Sequence, residues 1–250
     1  MALCICLVIA SCQKKAKGDD DAVGAPSPVE IRFSHLYSRF FDLYMDSTYY
    51  IPGLPPQPVR FTEFKYYISN IALVNTDGDT VAIPNTYFLI DHKKPASMKV
   101  QFTAPADDYH TMAFTIGIDH ARNMQGAGTG QLDPSLGMFW NATDGFIMAK
   151  LEGTSPSSPQ PNNVFRFNIG GTKEPFNVLS RRTFKLGGNM MVTPNRKAVI
   201  NISTEVSAWF TNPYTVNISA NPIVDAPGQV AKDISSNYVK MFNFVSVKYE

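Results

Sequence analysis

Residues 60–75 read RFTEFKYYISNIALVN and run into Thr76-Asp77-Gly78-Asp79. Aromatic and β-branched side chains dominate the first part, and such side chains suit a pleated, half-buried surface. Asp-Gly between two apolar runs is a strong hairpin signal. Residues 80–83 then read as the return strand and 87–90 as the next one. Working outward, the same period of two recurs. Val29, Ile31 and Phe33 alternate with polar residues, as do Met98, Val100 and Phe102 before Pro105. Met112, Phe114, Ile116 and Ile118 form another alternating set, and Phe165, Phe167 and Ile169 a further one. Arg182, Phe184 and Leu186 also alternate. Residues 139–152, 199–202, 214–218 and 241–247 read as strands too. Helical character is confined to a turn or two at 204–210 and a short helix at 230–238. The expected fold is all-β: a single-domain β-sandwich of roughly ten strands, with long loops and one or two short helices.

The composition agrees. Of 250 residues, 18 are proline and 16 glycine, which suits short strands joined by turns. Formal net charge is +1, so the chain lacks the concentrated basic face that nucleic acid requires. All three cysteines, Cys4, Cys6 and Cys12, lie in the first twelve residues. The domain therefore holds no cysteine for a disulfide, a thiolate metal site or a nucleophile. Any metal must be held by imidazole, thioether, carboxylate, amide or backbone groups.

The apolar run MALCICLVIAS is too short to span a bilayer and reads as the end of an export signal. Ile9-Ala10-Ser11-Cys12 matches a bacterial lipobox, in which the cysteine becomes lipidated. Residues 1–12 are accordingly expected to be a lipoprotein signal ending in the lipidated Cys12. Residues 13–28 are expected to be a polar, disordered tether, and 29–250 the folded domain. A membrane anchor at Cys12 implies a cell-envelope location, with the outer membrane favoured.

Four segments together resemble the MbnP-like family of exported bacterial proteins. They are Phe64-Lys65-Tyr66-Tyr67-Ile68-Ser69-Asn70-Ile71 with its Asp77-Gly78 turn, and Gly117-Ile118-Asp119 followed by Asn123. Then come Leu132-Asp133-Pro134 with Gly137-Met138-Phe139-Trp140, and Gly145-Phe146 through Lys150-Leu151-Glu152-Gly153. The resemblance implies a copper-associated β-sandwich. It also implies a di-haem peroxidase-like partner that oxidises a tryptophan, whose product joins histidine in a copper site. Trp140 is the tryptophan that this resemblance singles out. The family pattern often has a second Trp where this chain has Ala142, and a His where it has Asn168. It also commonly has His near the C-terminus, and residues 244–250 contain none.

Neutral imidazole suits copper. His35, at the end of the first strand, is the first candidate ligand, and His120, beside Asp119 at the mouth of the long loop, the second. His92 (in DHKK) and His110 read as solvated turn residues. Met138, beside Trp140, is a thioether candidate for Cu(I), with core packing as the alternative. Asp119, Asn123 and Asp133 either shape the Gly-rich loop or gather a hard cation such as calcium, the lesser candidate. Glu63 and Glu152 make an acid/base pair only if the fold brings them together, so the chain is expected not to be an enzyme. The competing reading is a surface module that has lost metal and binds a glycan or protein through exposed aromatics.

Overall fold

The computed structural model describes residues 24–52 and 55–250, so Cys12 and the leader lie outside the described residues. The chain begins with β1 (Ser27–Ser38), β2 (Phe41–Asp42), β3 (Thr48–Ile51), β4 (Gln57–Asn75) and β5 (Thr80–Ala82). Next come β6 (Tyr87–Asp91), β7 (Lys99–Ala104), β8 (Asp107–Ile116), the short helix α1 (His120–Asn123) and β9 (Phe139–Asn141). Then follow β10 (Gly145–Thr154), β11 (Val164–Gly170), β12 (Ser180–Val192), β13 (Ala198–Glu205) and β14 (Ile223–Val224). Helix α2 (Gln229–Tyr238) and β15 (Phe242–Tyr249) close the chain. The all-β sandwich expected from the alternation is what forms.

Two sheets make the sandwich. The smaller runs β15-β13-β1, with β2 and β7 on the far side of β1. The larger runs β12-β8-β4-β10-β11-β14, with four short strands added along β4 and β10. The deciding stretch is the hub: β4 is 19 residues long and bends at bulges, so it pairs in turn with β3, β10, β6, β8 and β5. Between the sheets, alternate side chains interlock edge to face. Phe33 lies 5.9 Å from Tyr66 and 6.2 Å from Phe114, and Phe242 lies 5.3 Å from Tyr66. Such geometry adds to what simple burial contributes.

Three expectations are corrected. The tether was expected through residue 28, but Ser27 and Pro28 already pair with Ala104 and Thr103 of β7. Residues 139–152 are not one strand. Asn141 accepts hydrogen bonds from the backbone N–H groups of Thr143 and Asp144, folding a tight turn between β9 and β10. Residues 214–218 are not a strand either. The Asn237 side chain accepts from the Tyr214 N–H at 2.9 Å and donates to its carbonyl at 2.7 Å, so no ladder satisfies that backbone.

The long loop after β8 is ordered by its own polar side chains and lies on the outer face of the larger sheet. The Gln131 carbonyl accepts from the Tyr67 hydroxyl at 2.8 Å, and the Gln131 side chain accepts from the Leu89 N–H at 3.2 Å. This cover explains why Tyr67, on the outward side of β4, is fully buried.

Candidate functional site

The site grows out of the end of β1. Phe33 points into the core, and two residues on, His35 points the same way. It is 6 % exposed. Phe64 packs edge-on against its ring at 4.9 Å, and the His35 backbone carbonyl accepts from the Leu43 N–H just beyond β2. Phe64 and Tyr66 reach it from β4 because they share that strand's inward side. The other wall is His92, in the turn after β6. The His92 N–H donates to the Phe64 carbonyl at 3.0 Å, which draws the turn against the sheet.

The two imidazoles stack at 5.2 Å with their Nδ1 atoms 3.0 Å apart. On the far side of the His35 ring, Nε2 lies 3.0 Å from the Tyr66 hydroxyl, which in turn lies 3.4 Å from the Thr204 hydroxyl. Burial, helped by the nearby His92, pushes the His35 pKa down to about 3. Burial also lowers the pKa of His92, against an upward pull from Asp91. Both rings are therefore neutral at ordinary pH, the form that donates a lone pair to a metal. Two donors 3.0 Å apart fall within the span of one ion whose nitrogen bonds are about 2 Å each. Among the described residues no three His, Cys, Asp or Glu side chains gather as a metal cluster. The described residues thus bring together two imidazoles and no third such donor.

His92, read from the sequence as a solvated turn residue, is the missed member of the site. Its partner is 57 residues away, so no ligand spacing announces the pair. The other candidates lie elsewhere. His120 is on the surface with Nδ1 2.9 Å from the Thr172 hydroxyl, and the His110 Nδ1 lies 2.6 Å from the Thr111 hydroxyl. Met138 is fully buried, as core packing requires.

Trp140 is half-buried, with its ring against Gly170. Phe165, Phe167 and Ile169 of β11 face the core, so Gly170 shares the outward side with Arg166 and Asn168, which bind Asp225. The larger sheet therefore separates Trp140 from His35. The indole N–H is buried with no hydrogen-bond partner among the described residues.

The loop residues hold the chain rather than one another. Asp119 caps α1 by accepting from the Arg122 N–H at 3.0 Å, and it accepts from the Tyr87 hydroxyl at 2.7 Å. Burial pushes its carboxyl up, but these donors and Asn70 more than offset that and hold it below its usual range. Asn123 accepts from the Phe146 N–H at 2.8 Å, and Asp133 accepts from the Ser135 N–H at 2.8 Å.

Glu63 and Glu152 do sit directly opposite each other on β4 and β10. Lysines engage both, Lys65 and Lys93 at Glu63 and Lys150 at Glu152. Burial raises the Glu63 carboxyl, yet the lysines outweigh it and the net shift is downward. That is opposite to the raised pKa a general acid needs.

This architecture is an all-β, two-sheet sandwich in which a buried imidazole from β1 meets a half-buried one from the turn after β6. The family model for MbnP matches residues 26–227, and the chain belongs to that family. MbnP from Methylosinus trichosporium has a similar fold, with a TM-score of 0.53 at 15% identity, covering 82% of this chain and 83% of that one. No curated protein matches the chain.

Proposed function

We propose that this protein is a cell-envelope lipoprotein, anchored through Cys12, that binds or passes on copper through His35 and His92. The observation that carries the reading is the imidazole pair itself: two neutral rings, one of them buried, with Nδ1 atoms 3.0 Å apart. Imidazole is a good copper donor, whereas oxygen-seeking calcium wants several carboxylates, and no three gather among the described residues. Copper would supply Lewis-acid or one-electron chemistry, while the chain's residues bind and orient it. The function is carriage rather than catalysis.

Trp140 stays half-open to solvent, where a di-haem partner can reach its edge. Oxidation there would not by itself bring the ring to the imidazole pair. Competition titrations with a Cu(I) chelator test the reading. Wild-type protein is expected to take up about one equivalent, and His35→Ala and His92→Ala are each expected to weaken uptake steeply. Equal uptake by all three proteins would refute the site.

One observation favours a second role. Phe40, Phe41, Tyr44 and Tyr50, all more than 60% exposed, cluster on the lobe joining β1 to β4. Exposed aromatic clusters mark binding surfaces. Beneath them Tyr37 stacks on Tyr49 at 4.3 Å, and Tyr49 takes the Tyr44 N–H at 2.7 Å, so the lobe is held in shape. A glycan- or protein-binding role predicts that a Phe40→Ser/Phe41→Ser double variant loses ligand in glycan-array and partner-capture experiments while its copper uptake is unchanged.

A further inference from the structure

The buried side of His35 faces two hydroxyls that a simple packing role does not require. Tyr66 and Thr204 have no exposed surface, and their hydroxyls form a chain with His35 Nε2 at its head: 3.0 Å to Tyr66 and 3.4 Å onward to Thr204. A buried hydroxyl with no partner is costly, so this chain is a constraint on proton positions as well as on shape.

At the other end of the ring, two Nδ1 atoms 3.0 Å apart cannot both present lone pairs in the metal-free protein. One of the rings must donate. His92 is half-buried at a turn, and water can satisfy whichever of its nitrogens is left over. His35 has no such freedom. An isolated neutral imidazole prefers its proton on Nε2, and in His35 that position has an acceptor waiting.

We infer that Tyr66, backed by Thr204, is a positioning residue: it accepts the Nε2–H of His35 and so fixes the tautomer whose Nδ1 lone pair faces His92. The Tyr66 hydroxyl then donates to Thr204, and the Nδ1–H of His92 completes the metal-free arrangement. When an ion takes the place of that proton, the solvent-facing His92 releases its Nδ1 proton to water and takes one up at Nε2, so the ring stays neutral, and His35 is already in the binding form. The inference rests on reading the imidazole pair as a metal site, and it assigns Tyr66, the first tyrosine of the KYYISNI segment, a role in preparing it. A partner that orients a ligand's second nitrogen typically governs affinity by about 10–100-fold.

The test is long-range ¹H–¹⁵N NMR of the histidine rings in the metal-free protein, for wild type, Tyr66→Phe and Thr204→Val. The expected result is the Nε2–H tautomer for His35 in wild type and conversion to the Nδ1–H form in Tyr66→Phe. Thr204→Val is expected to shift the balance part of the way, and it carries the test alone if Tyr66→Phe fails to fold. Cu(I) affinity is expected to fall about 10–100-fold in Tyr66→Phe with the sheet resonances unchanged. An Nδ1–H tautomer in the wild type, or the same tautomer in all three proteins, would overturn the inference whatever copper does. The expected tautomers in a wild-type protein that takes up no Cu(I) would leave Tyr66 its role and overturn the copper reading instead.

Discussion

His35 shows how one buried ring ties stability to acidity. Its pKa falls from an ordinary value near 6.5 to about 3 because the folded core resists its charge. The unfolded chain binds the proton more readily, so the stabilisation is complete above about pH 6.5 and is lost as pH falls toward 3. The unfolding free energy should drop by up to about 1.4 kcal/mol per pH unit in that window. Urea unfolding of wild type and His35→Leu at pH 7 and pH 5 checks this; parallel losses in the two proteins would contradict it. Asn123 gives a second prediction at this scale. It is 6 % exposed and satisfies the buried Phe146 N–H, so Asn123→Ala should cost about 1–3 kcal/mol in thermal or urea unfolding. Of these residues, the sequence marked His35 and Asn123 by position alone. His92 sat in a polar DHKK run, and nothing local reveals that its backbone N–H is bound to Phe64.

Among the elements, hairpins were legible and distant pairings were not. Asp77-Gly78 gives the β4–β5 turn, with Gly78 at φ 91°, and the alternating sets became β1, β8, β11 and β12. The parallel pairing of β1 with β13 has no turn to signal it, since Val29 aligns with Ala198 from the far part of the chain. Yet that pairing helps make the site, because it sets Thr204 level with His35. The β9–β11 region yields a prediction of its own. A Cβ on Gly170 would meet the Trp140 ring at 2.6 Å and the Phe146 carbonyl at 2.7 Å. Gly170→Ala should therefore displace the indole, lower the melting temperature and shift Trp140 emission to longer wavelength. Unchanged emission in that variant would mean the ring does not rest on this glycine.

For the whole molecule, the sandwich divides its chemistry between two faces. The imidazole pair lies between the sheets at the rim, while Trp140 and the cross-strand carboxylates and lysines lie on the outside of the larger sheet. No alternation pattern in the sequence separates these groups, because a residue's face depends on bulges in β4 and β10 as well as on its parity. A copper site built from histidine without the indole is therefore expected. X-ray absorption on the copper-loaded full-length protein tests that most directly. The predicted spectrum shows two imidazole nitrogens at about 2 Å, is unchanged in Trp140→Phe, and loses imidazole scattering in His92→Ala. Sulfur scatterers from methionine, or an imidazole signal undiminished in His92→Ala, would contradict it.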